Sequence, residues 1–197
     1  LTDQDIGFVI APRLNALGRI ADANEGVELL TTLDEDRATK LAKAVEQANS
    51  KRQELVNEIM GEAQQQVDRL PQDQPVLLVV GHDWHQGVLG IVASRLMDQT
   101  GKPTIVASTN DDQKIAKGSG RSVDGFNLFA ALDGHRDLMT SFGGHPAACG
   151  LSFETENSEK LRNVLLHEAE NQHFDGQKKQ PLKIAASISP AEVSMQL

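Results

Sequence analysis

The stretch that decides the fold reads Val76-Leu77-Leu78-Val79-Val80-Gly81-His82-Asp83-Trp84-His85-Gln86-Gly87-Val88-Leu89-Gly90-Ile91-Val92-Ala93-Ser94-Arg95. Its first five residues form a continuous apolar run, which is typical of a strand buried on both faces. Residues 87–100 carry an apolar stripe at helical spacing, and residues 104–108 form a second strand pattern after Pro103. The order strand, helix, strand predicts a right-handed parallel crossover. We therefore expect an α/β domain with a central mixed or parallel sheet flanked by helices.

Weaker patterns predict the elements on either side of this unit. Before it, residues 7–11 resemble a strand, residues 21–31 a short helix capped by Asp22, and residues 34–70 a long helix capped by Asp34. After it, the patterns indicate strands at residues 114–118 and 151–153, helices at residues 126–132 and 158–171, and a strand-like run at residues 182–188.

The long helix is expected to connect two bodies. At ~1.5 Å per residue, about 35 residues make a rod of roughly 50 Å. Its apolar stripe is also compatible with a coiled-coil dimerisation helix. Because Arg52 and Glu62 interrupt the stripe, we favour the connector.

Composition places the chain among soluble globular proteins. Of its 197 residues, 39% are hydrophobic and 24% are charged, and no apolar run reaches the ~18 residues of a membrane span. Cys149 is the only cysteine, which excludes an intrachain disulfide and favours a reducing compartment. Its apolar, glycine-flanked context favours a packed residue over a nucleophile. The chain begins at Leu1 without a methionine, and we expect it to be a piece of a longer protein.

The charge distribution points to one basic strip. A net charge of −9 argues against a nucleic-acid partner, since contacts to phosphate dominate such binding. However, Lys114, Lys117 and Arg121 lie in a ten-residue window, residues 113–122, that contains no acid. The sequence thus predicts a narrow phosphate-binding strip on an otherwise acidic surface.

Two glycine-rich motifs have the composition of a phosphate site. The first, Phe142-Gly143-Gly144-His145-Pro146-Ala147-Ala148-Cys149-Gly150, places a histidine after two glycines. Successive N–H groups at a glycine bend can bind an anion, and the imidazole adds a hydrogen bond or a charge. The alternative is a tight turn with His145 as a capped surface residue. The second, Gly118-Ser119-Gly120-Arg121-Ser122, adds two hydroxyls and a guanidinium suited to bidentate phosphate contact.

His82, Trp84 and His85 follow the first predicted strand, where the next helix begins. The N-terminus of a helix offers unpaired N–H groups to an anion. The i, i+3 spacing of the two histidines is compatible with zinc, but further ligands at typical spacing are absent from the sequence, so substrate contact is favoured. Trp84 is equally compatible with a stacking platform for bases and with a packing anchor.

Four motifs, in this order and spacing, resemble the RecJ family of bacterial single-strand-specific DNA exonucleases. They are APRLNALGR at residues 11–19, GHDWHQGVLGIVASR at residues 81–95, SGRS at residues 119–122 and FGGHPAACG at residues 142–150. RecJ enzymes are DHH phosphoesterases, in which an N-terminal domain holds catalytic metal ions through aspartates and an Asp-His-His motif. A DHH-associated domain with the Gly-Gly-His signature closes over the substrate. No Asp-His-His triplet occurs in this chain.

The resemblance implies a division of the chain into four segments. Residues 1–33 would be the C-terminal remnant of the DHH catalytic domain, and residues 34–70 the connector helix. Residues 71–176 would form the DHH-associated substrate-binding domain, and residues 177–197 the start of a further module.

The resemblance also implies roles for individual residues. His145 would be catalytic, lying close to the scissile phosphate and stabilising its developing charge. For Arg13, Asn15 and Arg19 the residues alone leave surface pairing with Asp22 or Glu25 open, and the resemblance favours substrate contact. The implied phosphate-binding set is Ser119, Arg121, Ser122, Gly143, Gly144, Arg13, Asn15 and Arg19, and the candidate substrate contacts are His82, Trp84 and His85.

The implied function is substrate binding within a metal-dependent 5′-to-3′ single-stranded DNA exonuclease of DNA repair and recombination. Mn²⁺ or Mg²⁺ would serve the parent enzyme through ligands outside this segment, so the segment alone is expected to be inactive. Alternatives are a nanoRNase or cyclic-dinucleotide phosphodiesterase of the same superfamily, an alanyl-tRNA-editing relative, and a non-catalytic nucleic-acid-binding module. Expected partners are single-stranded DNA and single-strand-binding or repair proteins, in the cytoplasm and without a membrane.

Overall fold

The computed structural model describes residues 1–110, 113–176 and residue 184. Its N-terminal part is helical: a π-helical segment (Asp5–Ile10) continues into α1 (Ala11–Ile20), and α2 (Asn24–Thr31) and α3 (Glu35–Val67) follow. The later elements are β1 (Leu77–His82), α4 (Leu89–Thr100), β2 (Thr104–Asn110), β3 (Gln113–Arg121), α5 (Leu128–Asp133), β4 (Ser141–His145), β5 (Ala148–Glu154) and α6 (Ser158–Asn171). None of the described helices combines the length and apolar character needed to cross a membrane.

The five strands form one mixed sheet in the order β1-β2-β3-β5-β4. β1 and β2 pair in parallel across the α4 connection, and the remaining pairs are antiparallel. The expected α/β class and the parallel strand–helix–strand unit are thereby confirmed. β4 forms an edge of the sheet and is joined to β5 by the two residues between His145 and Ala148.

The segment at residues 7–11 is helical, so the strand expected there was wrong. The N–H of Ala11 donates to the carbonyl of Ile6, an i to i+5 bond that continues directly into α1. Phe8 is 82% exposed. An apolar run becomes a strand only where a neighbouring strand completes its backbone hydrogen bonds, and no strand of the described sheet pairs with this segment.

Both glycine-rich motifs lie largely on strands, and the first also includes the turn between β4 and β5. The Gly-Gly-His motif is the end of β4, and the second motif is the end of β3, which runs to Arg121. α2 begins at Asn24, later than expected, and the Asp22 carboxylate accepts the N–H of Asn24 at 2.9 Å. The run at residues 182–188 and the module at residues 177–197 lie outside the described residues, apart from residue 184.

α3 contributes to two separate hydrophobic cores. Asp34 caps it as predicted, accepting the N–H of Arg37 at 3.0 Å. Near the start of the helix, Val45 and Ala48 pack with the buried residues of α1. Further along, Val56, Ile59 and Ala63 pack against β1, β2 and α4. Packing within the chain therefore accounts for the apolar stripe without a partner helix.

The two faces of the sheet are covered differently. One face is buried from β1 to β5 under α5 and α6, with Phe153 fully inaccessible, while Phe142 on the edge strand β4 is only partly buried. On the other face, α3 and α4 cover the β1–β2 side, where Val79 and Val106 are buried. The β5–β4 side of this second face instead lines an open groove. The candidate site lies there.

Candidate functional site

A groove of about 520 Å³ runs over the β3, β5 and β4 strands beside the start of α4. Side chains directly opposite each other on neighbouring strands share a face of the sheet. The strand register therefore aligns three rows on the groove side, which are Lys117–Ser152–Ser141, Ser119–Gly150–Gly143 and Arg121–Ala148–His145. The rows contain only polar or very small residues, and the middle row ends in two glycines, so this face offers hydrogen-bonding groups around a floor without side chains.

Arg121 is held in place by neutral groups. Its Nη1 donates to the hydroxyl of Ser119 at 2.9 Å and to the carbonyl of Gly120 at 2.7 Å. The start of α4 packs closely on this pair, since a Cβ added to Gly90 would lie 2.8 Å from Arg121 Nη2. No ion pair joins Arg121 to a carboxylate of the described residues. The guanidinium is thus pre-positioned, and its charge is available to an anion.

His145 lies on the same face as Arg121. One residue, Ala148, separates them across the strands, so their backbones are roughly 10 Å apart at about 4.8 Å per strand. The imidazole is exposed, and its Nδ1 accepts the N–H of Ala147 at 3.4 Å. A neutral ring that accepts at Nδ1 carries its proton on Nε2, which makes Nε2 a hydrogen-bond donor.

The two glycines before His145 have different structural roles. A Cβ added to Gly144 would lie 2.3 Å from the carbonyl oxygen of Ala148, and its φ of +155° is one that other residues rarely adopt. Gly144 is therefore required by the hairpin itself. A Cβ on Gly143, or on Gly150 opposite it, would meet no atom within 4 Å. These two glycines face the groove, and such glycines in strands often mark close approach of a ligand.

Lys117, which belongs to the basic strip predicted from the sequence but not to the phosphate-binding set implied by the resemblance, lines the groove. The side chain is exposed, and no ion pair with a carboxylate of the described residues engages it. Sequence reasoning also omitted Gly150, Ser141 and Ser152. The signal that could have found these residues is the period of two along a strand, which selects positions 141, 143 and 145 on β4 and positions 148, 150 and 152 on β5, as it selects 117, 119 and 121 on β3.

Two expected site residues, Ser122 and Trp84, lie buried outside the groove. The Ser122 hydroxyl donates to the carbonyl of Phe126 at 2.7 Å, just beyond the end of β3. The Trp84 ring is 5% exposed and packs on Gly81, where an added Cβ would lie 2.0 Å from it. Its Nε1 donates to Glu62 at 2.8 Å. The structure therefore favours the packing alternative for Trp84 and a structural role for Ser122.

His82 and His85 are exposed but engage local partners. His82 Nε2 lies 3.3 Å from a carboxylate oxygen of Asp83, and His85 Nδ1 accepts the N–H of Gly87 at 3.2 Å. Within the described residues, no group of three or more His, Cys, Asp or Glu side chains is arranged to hold a metal ion.

The three candidate residues of the APRLNALGR motif (residues 11–19) lie in three different settings. Arg13 pairs with Glu46 of α3 at 2.7 Å, rather than with Asp22 or Glu25. Asn15 is exposed on α1. Arg19 donates from Nη1 to the carbonyl of Gly87 at 3.2 Å, next to the groove residue Gln86. Of the three candidate residues in this motif, Arg19 is therefore the one that contacts a residue adjacent to the groove.

Cys149 points away from the groove into the core under α5. A Cβ on Gly120 would lie 2.7 Å from its sulfur. Burial raises the pKa of the Cys149 thiol to about 11. The residue therefore remains protonated near neutral pH and packs as a small apolar group.

Comparisons with known proteins confirm the resemblance expected from the four motifs. The single-stranded-DNA-specific exonuclease RecJ of Bacillus subtilis (strain 168) is 42% identical to this chain over 169 residues, covering 86% of this chain and 22% of that protein. RecJ of Escherichia coli (strain K12) is 34% identical over 206 residues, covering 100% of this chain and 35% of that protein. The chain thus spans about a third or less of the length of these relatives.

Solved structures of RecJ have the same fold. RecJ from Thermus thermophilus in complex with Mn²⁺ superposes with a TM-score of 0.76 at 29% identity, over 85% of this chain and 24% of that one. A structure of exonuclease RecJ bound to manganese gives a TM-score of 0.74 at 28% identity, over 87% and 42% of the two chains. A family model described as the DHHA1 domain matches residues 73–171, from just before β1 to the end of α6. This match covers the whole sheet and the groove, and the chain belongs to the DHHA1 domain family.

Proposed function

We propose that the groove binds the phosphodiester backbone of single-stranded DNA and that this chain is the substrate-binding part of a RecJ-type exonuclease. The observation that carries the proposal is the common face of His145, Arg121, Ser119 and Lys117 around the two open glycines Gly143 and Gly150. The names of the relatives, which are single-stranded-DNA-specific exonucleases, support this substrate class.

The residues of the groove and of the adjoining row Arg121–Ala148–His145 have two tasks, which are strand binding and charge stabilisation. Arg121 and Lys117 supply positive charge to backbone phosphates, and the Ser119 hydroxyl orients the guanidinium. Gly143 and Gly150 let the backbone of the strand approach the sheet. At the end of the same face, the Nε2 of His145 donates a hydrogen bond to the phosphoryl oxygen on which negative charge develops during hydrolysis.

Divalent metal chemistry belongs to the parent enzyme in this proposal. The RecJ structures that resemble this chain contain Mn²⁺ or Mg²⁺. Such ions prefer several oxygen ligands, and the described residues hold no cluster of that kind. We assign the metal ligands to another part of a longer protein and assign to this chain only substrate binding and the hydrogen bond from His145.

The cellular setting follows from the same proposal. A single-strand exonuclease acts on DNA during repair and recombination, in the cytoplasm of a bacterium. Single-strand-binding and repair proteins are the partners that such an enzyme would meet. Arg13, Asn15, Arg19, His82 and His85 stay predictions as substrate contacts.

Binding of labelled oligonucleotides to the 197-residue chain tests the proposal. We expect tighter binding to single strands than to duplex or dinucleotides, and an affinity that falls with salt. Arg121→Ala should weaken binding and lower the magnitude of the salt slope by about 0.7, which is one phosphate contact on a single strand. Arg69→Ala, at an exposed arginine beyond the end of α3, is the matched control. An unchanged slope in Arg121→Ala, or a preference for dinucleotides, would contradict the proposal.

A further inference from the structure

Glu62 of α3 binds the tryptophan of the turn that follows β1. The indole Nε1 of Trp84 donates to a carboxylate oxygen of Glu62 at 2.8 Å. The indole ring is buried, whereas Glu62 is exposed on the helix. A carboxylate is a stronger acceptor than a neutral oxygen. This hydrogen bond gives a reason for the acidic residue that interrupts the apolar stripe of α3 at position 62.

The same side of α3 also holds the end of β1, which leads into this turn. Gln66 follows Glu62 by four residues, so the two side chains are neighbours on the helix surface. The Nε2 of Gln66 donates to the carbonyl of Val80 at 2.9 Å. Between these two contacts, the Trp84 ring lies over Gly81 so closely that any side chain there would collide with it. α3 therefore fixes both the last residues of β1 and the turn.

The backbone of the turn has a conformation that residues other than glycine seldom adopt. Asp83 has a φ of +54°, in the left-handed region. Its N–H donates to the carbonyl of Thr109 on β2 at 2.8 Å. Such conformations persist only where surrounding contacts enforce them. The hydrogen bond from Trp84 to Glu62, one residue later, is one of the contacts that do so.

The turn leads directly into one wall of the groove. Gln86 and Leu89 both line the groove, and Gly90 follows them in α4. A Cβ added to Gly90 would lie 2.8 Å from Arg121 Nη2 and 3.1 Å from the Ser119 hydroxyl oxygen. The backbone at the start of α4 thus packs on the guanidinium and its hydroxyl partner. A displacement of the turn would therefore move both the wall of the groove and the arginine that faces the strand.

We propose that Glu62 is a positioning residue for strand binding, which acts through Trp84 on the turn that presents Gln86 and the start of α4. This inference rests on the proposed function of the groove. Glu62 does not line the groove, and its negative charge can only repel the phosphates of a strand. Loss of the charge alone should therefore tighten binding, whereas loss of the hydrogen bond should weaken it. The two effects have opposite signs and can be separated.

Anisotropy of a labelled single strand, measured over a salt series, tests this role. Glu62→Ala removes charge and acceptor together, and it should weaken binding roughly three- to tenfold. Its salt slope should equal that of the unaltered chain, because no phosphate contact is lost. Glu62→Gln keeps an amide oxygen as acceptor and should bind at least as tightly as the unaltered chain. The matched control is Glu58→Ala, which removes an exposed acid one turn earlier on α3 and should also bind at least as tightly. Binding by Glu62→Ala equal to that of this control would overturn the proposal.

Trp84→Phe tests the contact through which Glu62 acts. This change keeps a buried ring and removes the N–H, so it should weaken binding as much as Glu62→Ala does. The double variant should bind no more weakly than either single variant, and additive losses would overturn the proposal. Because alanine favours the helix, Glu62→Ala should be fully folded by circular dichroism under the binding conditions.

The same measurements distinguish this inference from the proposed function. If the unaltered chain binds no single strand, the proposed function fails and this inference falls with it. If the unaltered chain binds a strand through Arg121 and Glu62→Ala binds it equally well, the proposed function stands and the positioning role of Glu62 is wrong.

Discussion

Replacing each of the two adjacent glycines by alanine should separate folding from binding. In Gly144→Ala the new methyl group would lie 2.3 Å from the carbonyl oxygen of Ala148 and 2.7 Å from the Cα of Cys149, both of which are backbone atoms of the hairpin partner. Overpacking of this kind costs about 1–3 kcal/mol, and the unfavourable φ adds about 1–3 kcal/mol. A total of roughly 2–6 kcal/mol is a large part of the ~5–15 kcal/mol that stabilises an ordinary domain.

Gly143→Ala should leave folding intact and weaken binding. Its methyl group would meet no atom within 4 Å, and replacing glycine within a strand stabilises by at most about 1 kcal/mol. The same methyl group would occupy the floor of the groove and displace a bound strand from Arg121 and Lys117. Losing one charge-assisted contact of about 1.5–3 kcal/mol lowers affinity at least roughly tenfold.

Urea unfolding, followed through the fluorescence of the buried Trp84, measures the first effect, and anisotropy of a labelled single strand measures the second. Gly134→Ala is the matched control, because its new Cβ also meets open space and it lies outside the groove. Binding by Gly143→Ala equal to that of the control, or a Gly144→Ala variant as stable as the unaltered chain, would refute the division of roles.

The remaining predictions concern catalysis, the thiol and the long helix. His145→Ala in the longer enzyme should reduce turnover by roughly 10²–10³-fold and change strand affinity little, because the lost hydrogen bond stabilises mainly the charge of the transition state. Single-turnover kinetics measure turnover, and anisotropy measures affinity. Equal losses of turnover and of affinity would contradict this role. With its pKa raised to about 11, the Cys149 thiol should react with a maleimide at pH 8 far more slowly in the folded chain than in urea, and equal rates would contradict its burial. Because the unfolded thiol ionises near pH 9.0, its contribution to stability is present below that pH and is lost as pH rises to about 11; Cys149→Ala should flatten this part of a stability–pH curve. Asp34→Ala should lower the free energy of unfolding by about 0.5–2 kcal/mol through loss of the cap on Arg37, and an unchanged urea midpoint would argue against the cap.

Local patterns were sufficient to predict the elements whose signals are self-contained. The helix Ser158–Asn171 and the β1–α4–β2 unit have continuous periodicity and clear breakers, and both match the structure closely. The strand expected at residues 7–11 failed because a strand depends on a neighbour that local sequence does not specify. β4 was missed for the opposite reason, since β5 provides a pairing partner that overrides the poor strand propensity of two glycines.

The sequence pointed to several residues of the candidate site, but it did not specify how each of them is placed. Composition drew attention to Ser119, Arg121 and His145, and the structure places all three on one face. Ser122 has the same side chain as Ser119 and differs only in its position relative to the end of β3, which decides between burial and the groove. Likewise, the sequence Gly143-Gly144 does not reveal that Gly144 avoids a backbone clash in the hairpin whereas Gly143 leaves room for a ligand.

The sharing of α3 between two cores has a mechanical consequence. One continuous rod of hydrogen-bonded backbone is embedded at one end among α1 and α2 and at the other beneath the sheet, so neither end can rotate or slide without dragging the other. Melting of the helix between Ala48 and Val56 would uncouple the two cores, whereas fraying at its start would expose only the first of them. The sheet that carries the groove is therefore tied to the N-terminal helices through a single helix, and we expect a displacement of α1 to be transmitted along α3 to the sheet.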